Sequence, residues 1–245
     1  MNVQIVSHTL EPDLAVVVAA RTCLSDEAYE DIWRNMTEND ISRILATVIA
    51  KGHHSVLEHA NFTFSISGVS RVLSHQLVRH RMASYSQLSQ QRVNASELEF
   101  VVPPEVRKDP DFAKKYRELI SQCQELYADM IAKGLSLGSA RYILPSAFTS
   151  RIIVTINARS LFNLLSLRMC AAEEWEFRQV ATLMYKELMR VAPGIFKYAG
   201  TTCETEGICA EGEIGESCPR LLQNEASLRN TQSDIALLIR RGEKE

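Results

Sequence analysis

With 245 residues, 46% of them hydrophobic and 23% charged, the chain has material for one globular core and could just hold two domains; a single domain is the simpler expectation. A formal net charge of -3, a pI near 6.1 and 7% aromatic residues argue against a basic nucleic-acid-binding module. No 18-residue apolar run exists, and Met1 to His8 lacks the basic flank and apolar stretch of a signal peptide, so a soluble, cytoplasmic protein without a membrane partner is expected.

In residues 40–51, Ile41, Ile44, Leu45, Val48 and Ile49 fall at the spacing of a helix with one buried face. Gly52 is expected to end that helix and to leave His53 and His54 on a loop. Phe62, Phe64 and Ile66 alternate with Thr63 and Ser65, which predicts a strand broken by Gly68. Residues 69–80 return to helical spacing through Val69, Val72, Leu73 and Leu77, projecting His75, Gln76 and Arg79 to one side. Residues 116–132 predict an amphipathic helix ended by Gly134, and the β-branched residues 151–156 a buried strand. Helices follow over roughly 160–169 and 173–191, the second closed by Pro193-Gly194. The expected class is α+β, with helices packed on a small mixed or antiparallel sheet over residues 1–200. Residues 201–245 form a Cys, Glu and Gly-rich appendage with a short helical pattern at Asp234, Ile235, Leu238 and Ile239.

Charge is unevenly spread. Residues 59–96 contain no Asp or Glu, although 30 acids in 245 residues would put about five there by proportion. The same stretch carries Arg71, Arg79, Arg81 and Arg92 with His59, His75 and His80, interleaved with hydroxyls and amides. Guanidinium forks pair with phosphate in bidentate fashion, and Ser, Gln and Tyr add directional contacts, so this composition suits a cleft for an anionic, hydrogen-bonding ligand.

The order Arg79-His80-Arg81, seven residues, then Ser89 resembles the signature of the flavin-dependent thymidylate synthases, which methylate dUMP to dTMP with a reduced flavin. Three more segments agree in order: Gly52-His53-His54-Ser55 with Glu58-His59 and Phe62-Thr63-Phe64; Ala140-Arg141-Tyr142-Ile143-Leu144-Pro145; and Asn157-Ala158-Arg159-Ser160-Leu161 with Asn163 and Leu167-Arg168. The resemblance implies a homotetrameric methyltransferase with shared active sites. It would use FAD, with NADPH and 5,10-methylenetetrahydrofolate as co-substrates. It assigns dUMP to Gln76, Leu77, Val78, Arg79, Gln87, Leu88, Ser89, Gln90, Gln91, Arg141 and Arg168. It assigns FAD to Ser55, Arg79, His80, Arg81, Gln87, Asn157, Ala158, Arg159 and Asn163. Arg168 takes the catalytic role of stabilising negative charge that develops on the uracil ring. The chain has no Gly-x-Gly-x-x-Gly turn, so a flavin diphosphate must meet side chains instead.

Two positions depart from the family pattern. Gln91 stands where an arginine is usual, with Arg92 one residue later, and Ala172 stands where a His or Arg often lies at the flavin edge. Arg92 is expected to take over part of the phosphate contact. No acid neighbours Ser89 in sequence, so no nucleophilic serine is expected. Two readings compete. His53, His54, Glu58, His59 and His75 could be drawn as the metal site of a hydrolase, and the arginines as a phosphate- or nucleic-acid-binding module. The six cysteines suit thiols or metal ligands better than disulfides, and Cys170, Cys203, Cys209 and Cys218 are a candidate set for a structural zinc.

Overall fold

The computed structural model describes residues 1–96, 98–207, 209 and 218. In chain order it contains strand β1 (Asn2–His8), helices α1 (Pro12–Thr22), α2 (Tyr29–Asn35) and α3 (Glu38–Ala50), a 3-10 segment (His54–His59), β2 (Asn61–Ser70), α4 (Arg71–Leu77) and β3 (Ala83–Gln87). Then come α5 (Pro104–Lys108), α6 (Pro110–Ala132), α7 (Leu137–Ala140), a second 3-10 segment (Arg141–Ile143), β4 (Thr149–Asn157), α8 (Ala158–Arg168), α9 (Trp175–Val191), α10 (Pro193–Phe196) and α11 (Thr202–Thr205). The described strands form one four-stranded antiparallel sheet in the order β1-β2-β4-β3, and the class is α+β, as the periodicities predict.

Local chemistry explains where the elements differ from expectation. Helix α3 begins earlier because Thr37 and Asp40 form a capping box, and α6 begins at Pro110 because the Asp109 carboxylate accepts from the N–H groups of Asp111 and Phe112. Gly68 does not break β2. It sits inside the strand at φ 66°, where an added Cβ would lie 2.9 Å from the Met1 nitrogen. His54 to His59 is a 3-10 turn rather than a loop. β4 is buried on one face, through Ser150, Ile152, Val154 and Ile156, instead of on both. α9 ends at Val191, just before Pro193 as expected, and Pro193 also starts the short α10. The helical pattern expected at Asp234 to Ile239 lies outside the described residues.

The chain divides into two compact units. One comprises Met1–Val3, Ser65–Arg81 and Tyr85–Val154; the other comprises Gln4–Phe64, Met82–Ser84 and the described residues from Thr155 onward. In the first unit, Ala95, Tyr127 and Ala140 are fully buried, with Leu98, Met130, Ile131, Leu137, Ile143 and Leu144 packed around them. In the second, Leu14, Val18 and Ile32 gather Trp33, Met36 and Ile41, and the Phe62 ring meets Phe196 edge-on at 5.4 Å. The Asp13 carboxylate there accepts from Gly194 N–H (2.8 Å) and Ile195 N–H (2.9 Å), tying α1 to α10. Among the described residues no helix is long and apolar enough to cross a membrane.

Candidate active site

In the first unit the Arg79-His80-Arg81 run is held by a turn rather than by a helix. The Ser70 hydroxyl caps α4 by accepting from Leu73 N–H (3.1 Å), and Leu73, Ser74 and Leu77 bury the inner face of that helix. The chain leaves α4 through hydrogen bonds from Arg79 N–H to Gln76 O and His80 N–H to Leu77 O, both 3.1 Å. Tyr85 then reaches back from β3, its one hydroxyl proton shared between Leu77 O (3.0 Å) and His80 O (2.7 Å). Burial pushes the Tyr85 pKa up to about 12, so the hydroxyl stays a donor. The turn is pinned while the Arg79 and Arg81 side chains stand exposed, neither in an ion pair among the described residues.

Alternation along β3 puts Tyr85 and Gln87 on one face, between exposed Ser84 and Ser86. Gln87 Nε2 donates to Ser74 Oγ (2.7 Å) and Ser150 Oγ (3.1 Å). Because Ser74 spends its proton on Arg71 O (3.0 Å), it must accept from Gln87, which fixes the amide's orientation. Gln76 is the complement: its Oε1 is buried and has no hydrogen-bond partner. A buried acceptor left so costs about 1–3 kcal/mol, which a donor on a ligand would relieve.

Leu88 continues the ladder, its N–H donating to Arg151 O (2.9 Å). Ser89 O then accepts from Arg92 N–H (3.1 Å) and Val93 N–H (3.0 Å), curling the loop. Ser89, Gln91 and Arg92 are exposed and Gln90 is half-buried. The far end of the loop is anchored where Ala95 N–H donates to the Tyr127 hydroxyl (3.1 Å) inside the core. Arg141 follows α7, whose Leu137 and Ala140 belong to the same core. Gln76, Leu77, Val78, Arg79, His80, Arg81, Gln87 to Gln91 and Arg141 all belong to this unit.

In the second unit Ser55 is exposed on the 3-10 turn, where Glu58 accepts a 2.6 Å ion-paired hydrogen bond from Arg159 Nη1. Asn157 caps α8 by accepting from Ser160 N–H (2.8 Å), and Ala158 N–H donates to Ala60 O (2.8 Å), so Asn157, Ala158, Arg159 and Asn163 ride on one anchored helix start. Arg168 closes α8. It pairs with Glu173, and its guanidinium carbon lies 4.7 Å from the Phe177 ring centroid. Glu173 is fixed in turn: its Oε1 accepts from Glu174 N–H (2.9 Å) and its backbone carbonyl from Arg178 Nη1 (3.0 Å). A separate cleft of about 850 Å³ in this unit, lined by Leu10, Ala15, Val18, Tyr29 and Trp33, includes none of the assigned residues.

The family model described as "Thymidylate synthase complementing protein" matches residues 4–194. The chain belongs to this family. It is 37% identical over 231 residues to the flavin-dependent thymidylate synthase of Clostridium tetani, covering 87% of this chain and 92% of that protein. It is 40% identical to the enzymes of the same description from Geobacter sulfurreducens (89% of this chain, 94% of that one) and Thermococcus kodakarensis (87% and 91%).

As a member of the thymidylate synthase complementing protein family, the chain has no support for the hydrolase reading. Among the described residues no group of three or more His, Cys, Asp or Glu is placed to hold a metal. His75 belongs to the first unit and His53, His54, Glu58 and His59 to the second; His54 leans on the Phe162 ring, and Glu58 is taken by Arg159. The candidate zinc set likewise finds no support among the described residues. Cys170, Cys203, Cys209 and Cys218 are all free thiols that do not converge, and Cys203 Sγ instead lies 3.1 Å from Thr201 Oγ1. Sequence reasoning missed the residues that hold the site: Ser74, Ser150, Tyr85, Tyr127 and Glu173. For Tyr85 a signal existed, since Ala83, Tyr85 and Gln87 alternate with serines in strand fashion.

Proposed function

We propose that this chain catalyses the reductive methylation of dUMP to dTMP, with 5,10-methylenetetrahydrofolate as carbon donor and NADPH as reductant, as a cytoplasmic homotetramer with shared active sites. One observation supports it most: between α4 and β3 a pinned turn presents unpaired arginines next to a buried, unpartnered amide oxygen on Gln76. Phosphate needs cations with no competing acid, and the imide edge or sugar of a nucleotide needs amides. The donor set also fits FAD: its diphosphate would meet Arg79, His80 and Arg81, with Ser55, Gln87, Asn157, Ala158, Arg159 and Asn163 as further contacts. When bound, the reduced flavin supplies the hydride.

In this reading Arg79 and Arg141 bind the nucleotide's phosphate end, and Gln76, Leu77, Val78, Gln87, Leu88, Ser89, Gln90 and Gln91 complete its site. Gln87 enters with its N–H donors already committed to Ser74 and Ser150, so it meets ligands through Oε1 as an acceptor. Arg168, held in one orientation by Glu173 and Phe177, stabilises the negative charge that develops on the ring. Ser89 acts as a hydrogen-bond donor. Purified protein should carry a yellow flavin that NADPH bleaches, and it should make dTMP only when dUMP and methylenetetrahydrofolate are both present. A protein that binds no flavin, or that oxidises NADPH without forming dTMP from this mixture, sinks the proposal.

A further inference from the structure

We infer that the outward face of α6 is a contact surface for a second copy of this chain, in which two α6 helices lie antiparallel about a two-fold axis. The inference rests on the homotetrameric reading and deepens it by naming the surface, the orientation and the register. α6 has 23 residues, about 34 Å at 1.5 Å per residue, and carries apolar residues on two faces. Ala113, Ile120 and Tyr127, seven apart, are buried and account for its inner face.

Phe112, Tyr116, Leu119, Cys123, Leu126 and Met130 form a second row, spaced alternately four and three residues apart. That is the spacing of a coiled-coil seam. Phe112, Leu119 and Leu126 are 65%, 61% and 48% exposed, while Tyr116, Cys123 and Met130 are half-buried on the shoulder beside the core. A lone exposed leucine is ordinary, but an apolar row that runs the length of a helix marks an interaction surface. The face away from both rows is polar: Lys114, Glu118, Ser121 and Glu125 are exposed there, with Lys114 paired to Glu118 at 3.9 Å.

Charge selects the occupant. Lys115, Gln122 and Asp129 line the outer edge of the seam; all three are exposed, and neither Lys115 nor Asp129 joins an ion pair among the described residues. When two copies run antiparallel, their outer edges face each other, so Lys115 meets the partner's Asp129 twice over and Gln122 meets the partner's Gln122. In the same register Phe112 packs on the partner's Met130, Tyr116 on the partner's Leu126 and Leu119 on the partner's Cys123. The face is thus complementary to itself, as a two-fold contact requires. A parallel pair would instead seat this edge against the row of Ile120 and Tyr127, which is buried within its own unit and out of reach.

Flavin-loaded full-length wild type, Leu119→Lys, Lys115→Glu, Asp129→Lys and the double variant Lys115→Glu with Asp129→Lys would be compared by sedimentation equilibrium, with folding checked by circular dichroism. The inference expects Leu119→Lys to raise the dissociation constant of one assembly step about a hundredfold or more, and each single charge reversal to raise it about tenfold. The double variant should return to within about threefold of wild type, because both pairs are restored with their signs exchanged. Unchanged assembly of Leu119→Lys overturns the inference and leaves this face to a different partner. Charge reversals that change nothing, or that weaken assembly without recovery in the double variant, overturn it as well.

Should Leu119→Lys not fold, a covalent test decides. Gln122→Cys, facing its own copy across the axis, should give a disulfide-linked dimer on mild oxidation that neither wild type nor Ser121→Cys gives. Absence of that dimer, or equal cross-linking of Ser121→Cys, rejects the pairing. Wild type that stays monomeric at micromolar concentration overturns the homotetrameric reading and this inference together, whereas wild type that assembles no better than Leu119→Lys overturns this inference alone.

Discussion

Replacing Tyr127 by Phe removes one oxygen and almost nothing else. Tyr127 and Ala95 are both 0% exposed, and the hydroxyl accepts the Ala95 N–H at 3.1 Å, so Tyr127→Phe opens no cavity but leaves a buried donor without a partner. That costs about 1–3 kcal/mol. For a chain of this size each kcal/mol lowers the melting temperature by about 2–4 °C, which gives a fall of roughly 2–12 °C. The tyrosine also fixes the far end of the loop that starts at Ser89, so the KM for dUMP should rise while kcat at saturating dUMP changes little. Melting must be followed at one protein concentration and one flavin occupancy, because ligands and subunits shift it by mass action. Unchanged melting together with unchanged KM would refute the claim that this hydrogen bond carries the loop.

The remaining expectations follow from single contacts. Tyr85→Phe should loosen the turn pinned at Leu77 O and His80 O and weaken flavin retention, measured by gel filtration of the loaded enzyme; undiminished retention contradicts that role. Gly68→Ala should lower stability by at least about 1–2 kcal/mol, since alanine is strained at φ 66° and its Cβ would also press on Met1; a neutral change in a denaturant titration would show that the strand relaxes there. Burial raises the Asp13 carboxyl pKa above 3.8, so the folded state binds a proton that the unfolded state has released. Its contribution to stability is therefore largest below 3.8 and declines as pH rises through the raised pKa. The stability of wild type relative to Asp13→Asn should accordingly grow as pH falls from 7 toward 4, and a flat or opposite trend would disprove the assignment. In single-turnover reoxidation of reduced flavin with dUMP and folate, Ser89→Ala and Cys170→Ser should still yield dTMP while Arg168→Ala yields almost none. Complete loss in Ser89→Ala with dUMP still bound would restore a covalent role for that serine.

Much of the candidate site could be proposed from the sequence because its chemistry is local. The acid-free stretch and the run from Arg79 to Ser89 are contiguous in the chain, and so is the helix start at Asn157, whose side chain caps the very element that it begins. Helix cores followed from periodicity alone: Leu45 and Val48 in α3, and Ile120 and Tyr127 in α6, are buried where the 3.6-residue repeat puts them. Strands were harder. Gly68 looked like a break because glycine ends many strands, whereas it serves here as the residue that lets the Met1 backbone pass close by.

From sequence alone came the class of fold, the charge of the ligand and the family, since each depends on residue types at short, fixed spacings. The partners of those residues came only with the tertiary structure. Gln87 meets Ser150 across 63 positions, and Ala95 meets Tyr127 across 32. Such pairings are created by the way strands register and helices pack, and a hydroxyl or guanidinium carries no mark in the sequence of the distant group it will face. Periodicity says which side of an element is buried; only packing says against what.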